Sequence, residues 1–115
     1  MMSTVIDCTD PTTLAPFWRA LLGYEVESWS DGWVAILPEG GGPKISFQRV
    51  PESKSGKNRL HIDLQTRDVP GEVSRAERLG AQVLYPSEDP DDVFVTMADP
   101  EGNEFCVCLD ADEIT

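Results

Sequence analysis

An order of one strand, one helix and three strands is written twice in this chain, and that repeat constrains the fold more than any other feature. Its anchors are matching positions. Asp10 and Asp68 precede the two helical stretches, Leu22-Gly23 and Leu79-Gly80 end them, and Phe47 and Phe105 sit in the last strands, each pair 57 or 58 residues apart. A long period occurring twice describes two similar units side by side rather than a solenoid. With 115 residues, the chain can bury a real core without disulfides or metal. Right-handed crossovers would place both helices on one side of the sheet and leave the other face to curl into a groove.

The local signals follow that order. A strand is expected at 5–8, then a helix capped by Thr9 or Asp10 and started by Pro11. Leu14, Phe17, Trp18, Leu21 and Leu22 recur at helical spacing, and Gly23 ends the run in the left-handed conformation. Strands at 24–28 and 33–37 are joined by Ser30-Asp31-Gly32, a hairpin signal. After the glycine-rich turn at 39–43, a strand at 44–50 alternates, with Ile45 and Phe47 on one face and Ser46 and Gln48 on the other. Residues 51–58 carry no periodicity and read as a linker. The pattern then restarts with a strand at 59–66, a helical stripe of Val73, Ala76 and Leu79, and strands at 82–85, 93–97 and 103–109. An acidic turn spans 86–92, Asp99-Pro100-Glu101-Gly102 makes a tight turn, and the tail at 110–115 is expected to fray.

The strand at 59–66 holds the only histidine. Leu60, Ile62 and Leu64 fall on one face and His61, Asp63 and Gln65 on the other, so a buried face is backed by a row of hydrogen-bonding side chains suited to line a pocket.

Composition narrows the classes. A formal charge of −12 argues against nucleic acid as a partner, because phosphate contacts need a basic surface. Cys8, Cys106 and Cys108 form neither a disulfide framework nor a zinc-ribbon spacing. No apolar run reaches the length of a membrane span, and the first residues lack the regions of a signal peptide, so a cytoplasmic location with no membrane partner is expected.

Together with the repeat, Phe17-Trp18-x-x-Leu21-Leu22-Gly23 and Asp99-Pro100-Glu101-Gly102-Asn103-Glu104-Phe105 resemble the vicinal oxygen chelate superfamily, more narrowly its glyoxalase-like and bleomycin-resistance-like members. The resemblance covers nearly the whole chain. It implies an α+β fold: two tandem βαβββ modules forming a curved mixed sheet around a cup-shaped cavity. The chain then reads as one glyoxalase-like domain over 1–115, with module one at about 3–50, a linker at about 51–58 and module two at about 59–109. It also implies a homodimer.

In metal-using relatives the ligands are a His near the start of each module's first strand and a Glu in each module's last strand. Carried onto this chain by the repeat, those positions are Ser3, Gln48, His61 and Cys106. One imidazole, an amide, a hydroxyl and a thiol make a poor set for a divalent ion. No metal and no other cofactor is therefore expected. The expected function is metal-independent binding of a small organic ligand in the cup, with His61, Asp63, Gln48, Cys106 and Trp33 as contacts. His61 is the one catalytic candidate, since its unperturbed pKa suits acid–base work near neutral pH; it also reads as a satisfied histidine without chemistry. Asp63 can orient His61 or pair with an arginine such as Arg49 or Arg59. Cys106 can be a thiolate or a small buried hydrophobe. Two rivals remain: a metal-dependent lyase or isomerase of the glyoxalase type, and a bleomycin-type resistance protein that sequesters an antibiotic.

Overall fold

The computed structural model describes residues 3–56, 58 and 61–110. The expected order is present in the backbone: β1 (Ser3–Cys8), α1 (Pro11–Leu22), β2 (Glu25–Trp29), β3 (Trp33–Leu37) and β4 (Lys44–Arg49), then β5 (Ile62–Thr66), α2 (Val69–Leu79), β6 (Gln82–Pro86), β7 (Phe94–Ala98) and β8 (Glu104–Leu109). Contacts divide the chain into two compact units, Met1–Ser55 and Gly56–Thr115. Each holds a four-stranded mixed sheet, ordered β1-β4-β3-β2 in the first and β5-β8-β7-β6 in the second. The first strand of each unit runs parallel to the last, and the other pairs are antiparallel. The start of the expected strand, Arg59 and Leu60, and most of the expected frayed tail lie outside the described residues.

The same chemistry sets both helices. The Asp10 carboxylate accepts from the Thr12 amide at 3.1 Å and from the hydroxyls of Thr12 and Thr13 at 2.7 and 2.8 Å. Asp68 accepts from the Gly71 amide at 3.0 Å. Each bond satisfies an amide that the first helical turn leaves without an intrahelical partner. Gly23 and Gly80 close the helices at φ of 72° and 119°, where a side chain would be strained. Leu14, Phe17, Trp18 and Leu21 are buried on the α1 side, and Trp18 meets Phe17 edge to face at 5.3 Å. Beneath them lie Val34, Ile36, Ile45 and Phe47. In the second unit Val69 and Ala76 of α2 are buried with Met97, Phe105 and Val107 of the sheet. Cys8 falls on the helix side as expected, its thiol donating to the Gln48 carbonyl at 3.7 Å.

The register corrects one equivalence. Val5 pairs with Ser46 as Asp63 pairs with Cys106, and Val50 donates to the Cys8 carbonyl as Asp110 donates to that of Thr66. The first-module counterpart of Cys106 is therefore Ser46, and Gln48 is the counterpart of Cys108. The match of Phe47 with Phe105 is off by two residues. Its cause is the acidic loop between β6 and β7, longer than the turn between β2 and β3, which shifts every later position of the second module.

Candidate functional site

The helix covers one face of each sheet, and the chemistry lies on the face it leaves open. In the second module that face is a concave pocket of about 390 Å³. β5 and the residue before it supply Asp63 and His61; β8 supplies Glu104, Cys106 and Cys108; β7 supplies Phe94 and Thr96. All occupy alternate positions on their strands, as a shared face requires. Tyr85 joins them through a β-bulge. The pairing skips Leu84, so Tyr85 rather than Leu84 stands opposite Thr96. Asn58 and Asp92 complete the rim, with Asn58 Nδ2 donating to the Glu104 carbonyl at 3.0 Å.

At the centre, His61 Nε2 stands 3.1 Å from Asp63 Oδ1, and both side chains are more than half exposed. A ring nitrogen of His61, a carboxylate oxygen of Asp63 and the Cys106 sulfur all lie within 4.8 Å of one another. The Thr96 hydroxyl is buried and sits 3.5 Å from that sulfur. Burial, reinforced by the negative charges of Asp63, Cys106 and Asp92, raises the Cys108 thiol to about 11, which keeps it protonated at neutral pH.

What fixes β8 is the turn before it. Asp99, buried, accepts from the amides of Glu101 and Asn103 at 2.9 Å each and from Asn103 Nδ2 at 3.0 Å. Gly102 completes the turn at φ 87°. The Asp-Pro-Glu-Gly-Asn motif thus sets the register that delivers Cys106 to the pocket.

Of the residues expected to make contacts, His61, Asp63 and Cys106 converge. Of the partners weighed for Asp63, His61 is the one beside it; Arg49 stands 3.7 Å from Asp10, and Arg59 lies outside the described residues. Trp33 and Gln48 form a pair of their own, directly opposite each other on β3 and β4 of the first module, both exposed. Sequence reasoning missed Tyr85, Phe94, Thr96, Asp92, Glu104 and Asn58. The apolar run Val83-Leu84-Tyr85 breaks the alternation of its strand, and that break was the available sign of the bulge.

A glyoxalase-like domain family model matches residues 3–108. The chain belongs to that family. Its fold is that of the glyoxalase/bleomycin resistance/dioxygenase superfamily. A family enzyme from Burkholderia phytofirmans PsJN superposes with a TM-score of 0.76 at 18% identity, covering 93% of this chain and 95% of that one. A glyoxalase-related enzyme from Fulvimarina pelagi gives 0.73 at 14% identity, covering 96% and 87%. An antibiotic binding protein from a Streptomyces species gives 0.68 at 20% identity, covering 95% and 93%. No curated protein sequence matches the chain. The glyoxalase-like fold carries many chemistries, so the pocket has to argue the function. No helix among the described residues is long and apolar enough to cross a membrane.

Proposed function

We propose that this glyoxalase-like protein binds a small organic molecule on the open face of its second module, without a metal. One observation carries the reading: His61, Asp63 and Cys106 converge in a concave pocket whose walls include the rings of Tyr85 and Phe94. Aromatic walls with a few convergent polar groups are the usual make-up of a small-molecule site. The 3.1 Å contact with Asp63 orients the imidazole, so His61 is the residue to exchange a proton with a bound ligand. A thermal-shift screen of small organic compounds against wild type and His61→Ala tests this. Compounds that stabilise the first and not the second support it; a screen in which every stabilising compound acts equally on both contradicts it.

Two observations favour rival readings. The donor cluster speaks for a metal-dependent lyase or isomerase. Imidazole nitrogen, carboxylate oxygen and thiolate are ligand types that zinc accepts, and three protein ligands with an open position is a catalytic arrangement. His61, Asp63 and Cys106 would hold the ion, and a bound ion would supply a Lewis acid there. Asp63 is the donor that changes the expected count. The likeness to an antibiotic binding protein, with Asp63, Asp92 and Glu104 around aromatic rings, speaks for sequestering a cationic drug. Protection of cells expressing the protein would favour that reading. We also read the protein as a cytoplasmic homodimer of one domain per chain, which light scattering can check.

A further inference from the structure

The exposed pair of Trp33 and Gln48 belongs to a longer row. Gln48 on β4 pairs with Trp33 on β3 to one side and with Asp7 on β1 to the other, and cross-strand partners share a face. A carboxylate, an amide and an indole therefore line up across three adjacent strands, on the side away from α1. All three residues are exposed, and among the described residues none of these side chains makes a hydrogen bond, ion pair or ring contact. The same row of the second module reads Gln65, Cys108 and Phe94, and it holds no carboxylate.

Charge selects what such a row can hold. The first sheet has two basic residues, Lys44 and Arg49, both on β4, and both already face a carboxylate. Lys44 Nζ lies 2.9 Å from Glu27, and the Arg49 guanidinium stands 3.7 Å from Asp10. Asp7 is left as the uncompensated charge of the row, on a chain of formal charge −12. Such a surface repels anions and draws in cations. Neighbouring strands lie about 4.8 Å apart, so the row spans about 10 Å from carboxylate to indole. A ligand that satisfies all of it carries an aromatic ring at one end and a positive charge at the other.

We propose that the Asp7–Gln48–Trp33 row of the first module binds arylalkylamines, small molecules whose aromatic ring is joined by a short chain to an ammonium group. The ring stacks on the exposed indole of Trp33, in the offset or edge-on arrangement that aromatic pairs prefer. The ammonium, a donor only, finds two acceptors at the other end, the Asp7 carboxylate and the Gln48 amide oxygen. The chain between them lies over the stem of Gln48. The site uses no residue of the second-module pocket.

The test is an NMR titration of the full-length protein with phenylbutylamine, and with phenylbutanol as its uncharged counterpart. The probe is the indole N–H signal of Trp33, assigned by its loss in Trp33→Leu. The expected result is a saturating shift of that signal with the amine and a weaker response to the alcohol. Asp7→Asn should weaken the amine roughly threefold to fivefold, the range of an exposed ion pair, and leave the alcohol unchanged. Added salt should weaken the amine more in wild type than in Asp7→Asn. Trp33→Leu, read on the Gln48 side-chain amide, should weaken both compounds roughly threefold or more. All three side chains are exposed, so these substitutions leave the core as it is. A Trp33 signal that stays in place with the amine overturns the proposal, as does equal affinity for amine and alcohol. So does amine binding that falls in Asp63→Asn and not in Asp7→Asn, which would put the amine in the second-module pocket instead.

Discussion

Where the second module has His61 the first has Ser3, and Val5 stands in the place of Asp63. Ser46 replaces Cys106, Ala35 replaces Thr96, and Trp33 replaces Phe94. The other four pairs share positions on the same ladder of hydrogen bonds, and His61 and Ser3 each stand two residues before the first of them, on the face turned away from the helix. The helix-facing positions tell the opposite story: Ile45 and Phe105 are counterparts, as are Val34 and Val95, and all four are apolar. The ladder and the core thus set the backbone of both modules. The open face is free to carry different side chains, and among the described residues the second module brings an imidazole, a carboxylate and a thiol together there. Two copies of one fold within one chain show how little the fold dictates chemistry.

The largest effects should leave the comparison intact. Phe47 and Phe105 are fully buried, one in each module, and truncating either to Ala should cost about 3–5 kcal/mol. Denaturant titration checks this, and a cost well below that range for one of them would mean the two cores are unequal. The next effect should be one-sided. His61→Ala and Asp63→Asn should each weaken binding of a pocket ligand roughly tenfold, about 1.4 kcal/mol, while Ser3→Ala and Val5→Ala change it little. Calorimetry reads the difference, and equal losses from both modules would break the assignment.

A smaller effect separates Ser46 from its counterpart. The Ser46 hydroxyl is buried and has no hydrogen-bond partner among the described residues, whereas Cys106 has Thr96 at 3.5 Å. Ser46→Ala should therefore be neutral or stabilising by up to about 1 kcal/mol, because a buried unsatisfied hydroxyl carries a desolvation cost. A loss of stability would point to a partner for that hydroxyl and narrow the contrast with Cys106.

The smallest effect concerns the helix caps. Hydrogen bonds from Thr12 and Thr13, with a minor contribution from Arg49, hold the Asp10 carboxyl below its ordinary value of 3.8. A depressed carboxylate contributes stability that is present above its unfolded pKa and lost as pH falls through the folded one. Asp10→Asn should therefore flatten the acid side of the stability curve below about pH 3.8. Unchanged curvature in a urea series at stepped pH would remove Asp10 from the account.

Much of this arrangement was legible in the sequence because short-range chemistry writes it. Asp10 and Asp68 announce the helix starts, Gly23 and Gly80 the ends, and Asp99 the turn ahead of the last strand. Strict alternation around His61 put it and Asp63 on one face, and the family resemblance supplied Cys106. The failures were long-range. Counting from Phe47 to Phe105 assumed equal spacing, and the longer acidic loop moved the true counterpart of Cys106 from Gln48 to Ser46. Tyr85 was missed because a one-residue bulge reverses which side of a strand a residue faces. Asp92 and Asn58 reach the pocket from segments with no period to read.

The most direct test of the metal-free pocket is a melting-temperature series on chelator-stripped protein, with Ni, Zn, Mn, Mg and Co added separately and His61→Ala run alongside. A ligand that binds only the folded state raises the melting temperature, by the equivalent of about 2.7 kcal/mol at a hundredfold excess over Kd. The account predicts no rise with any of the five metals, and a rise with an organic ligand that His61→Ala abolishes. A clear rise with one metal, lost in His61→Ala, would contradict it and promote the lyase or isomerase.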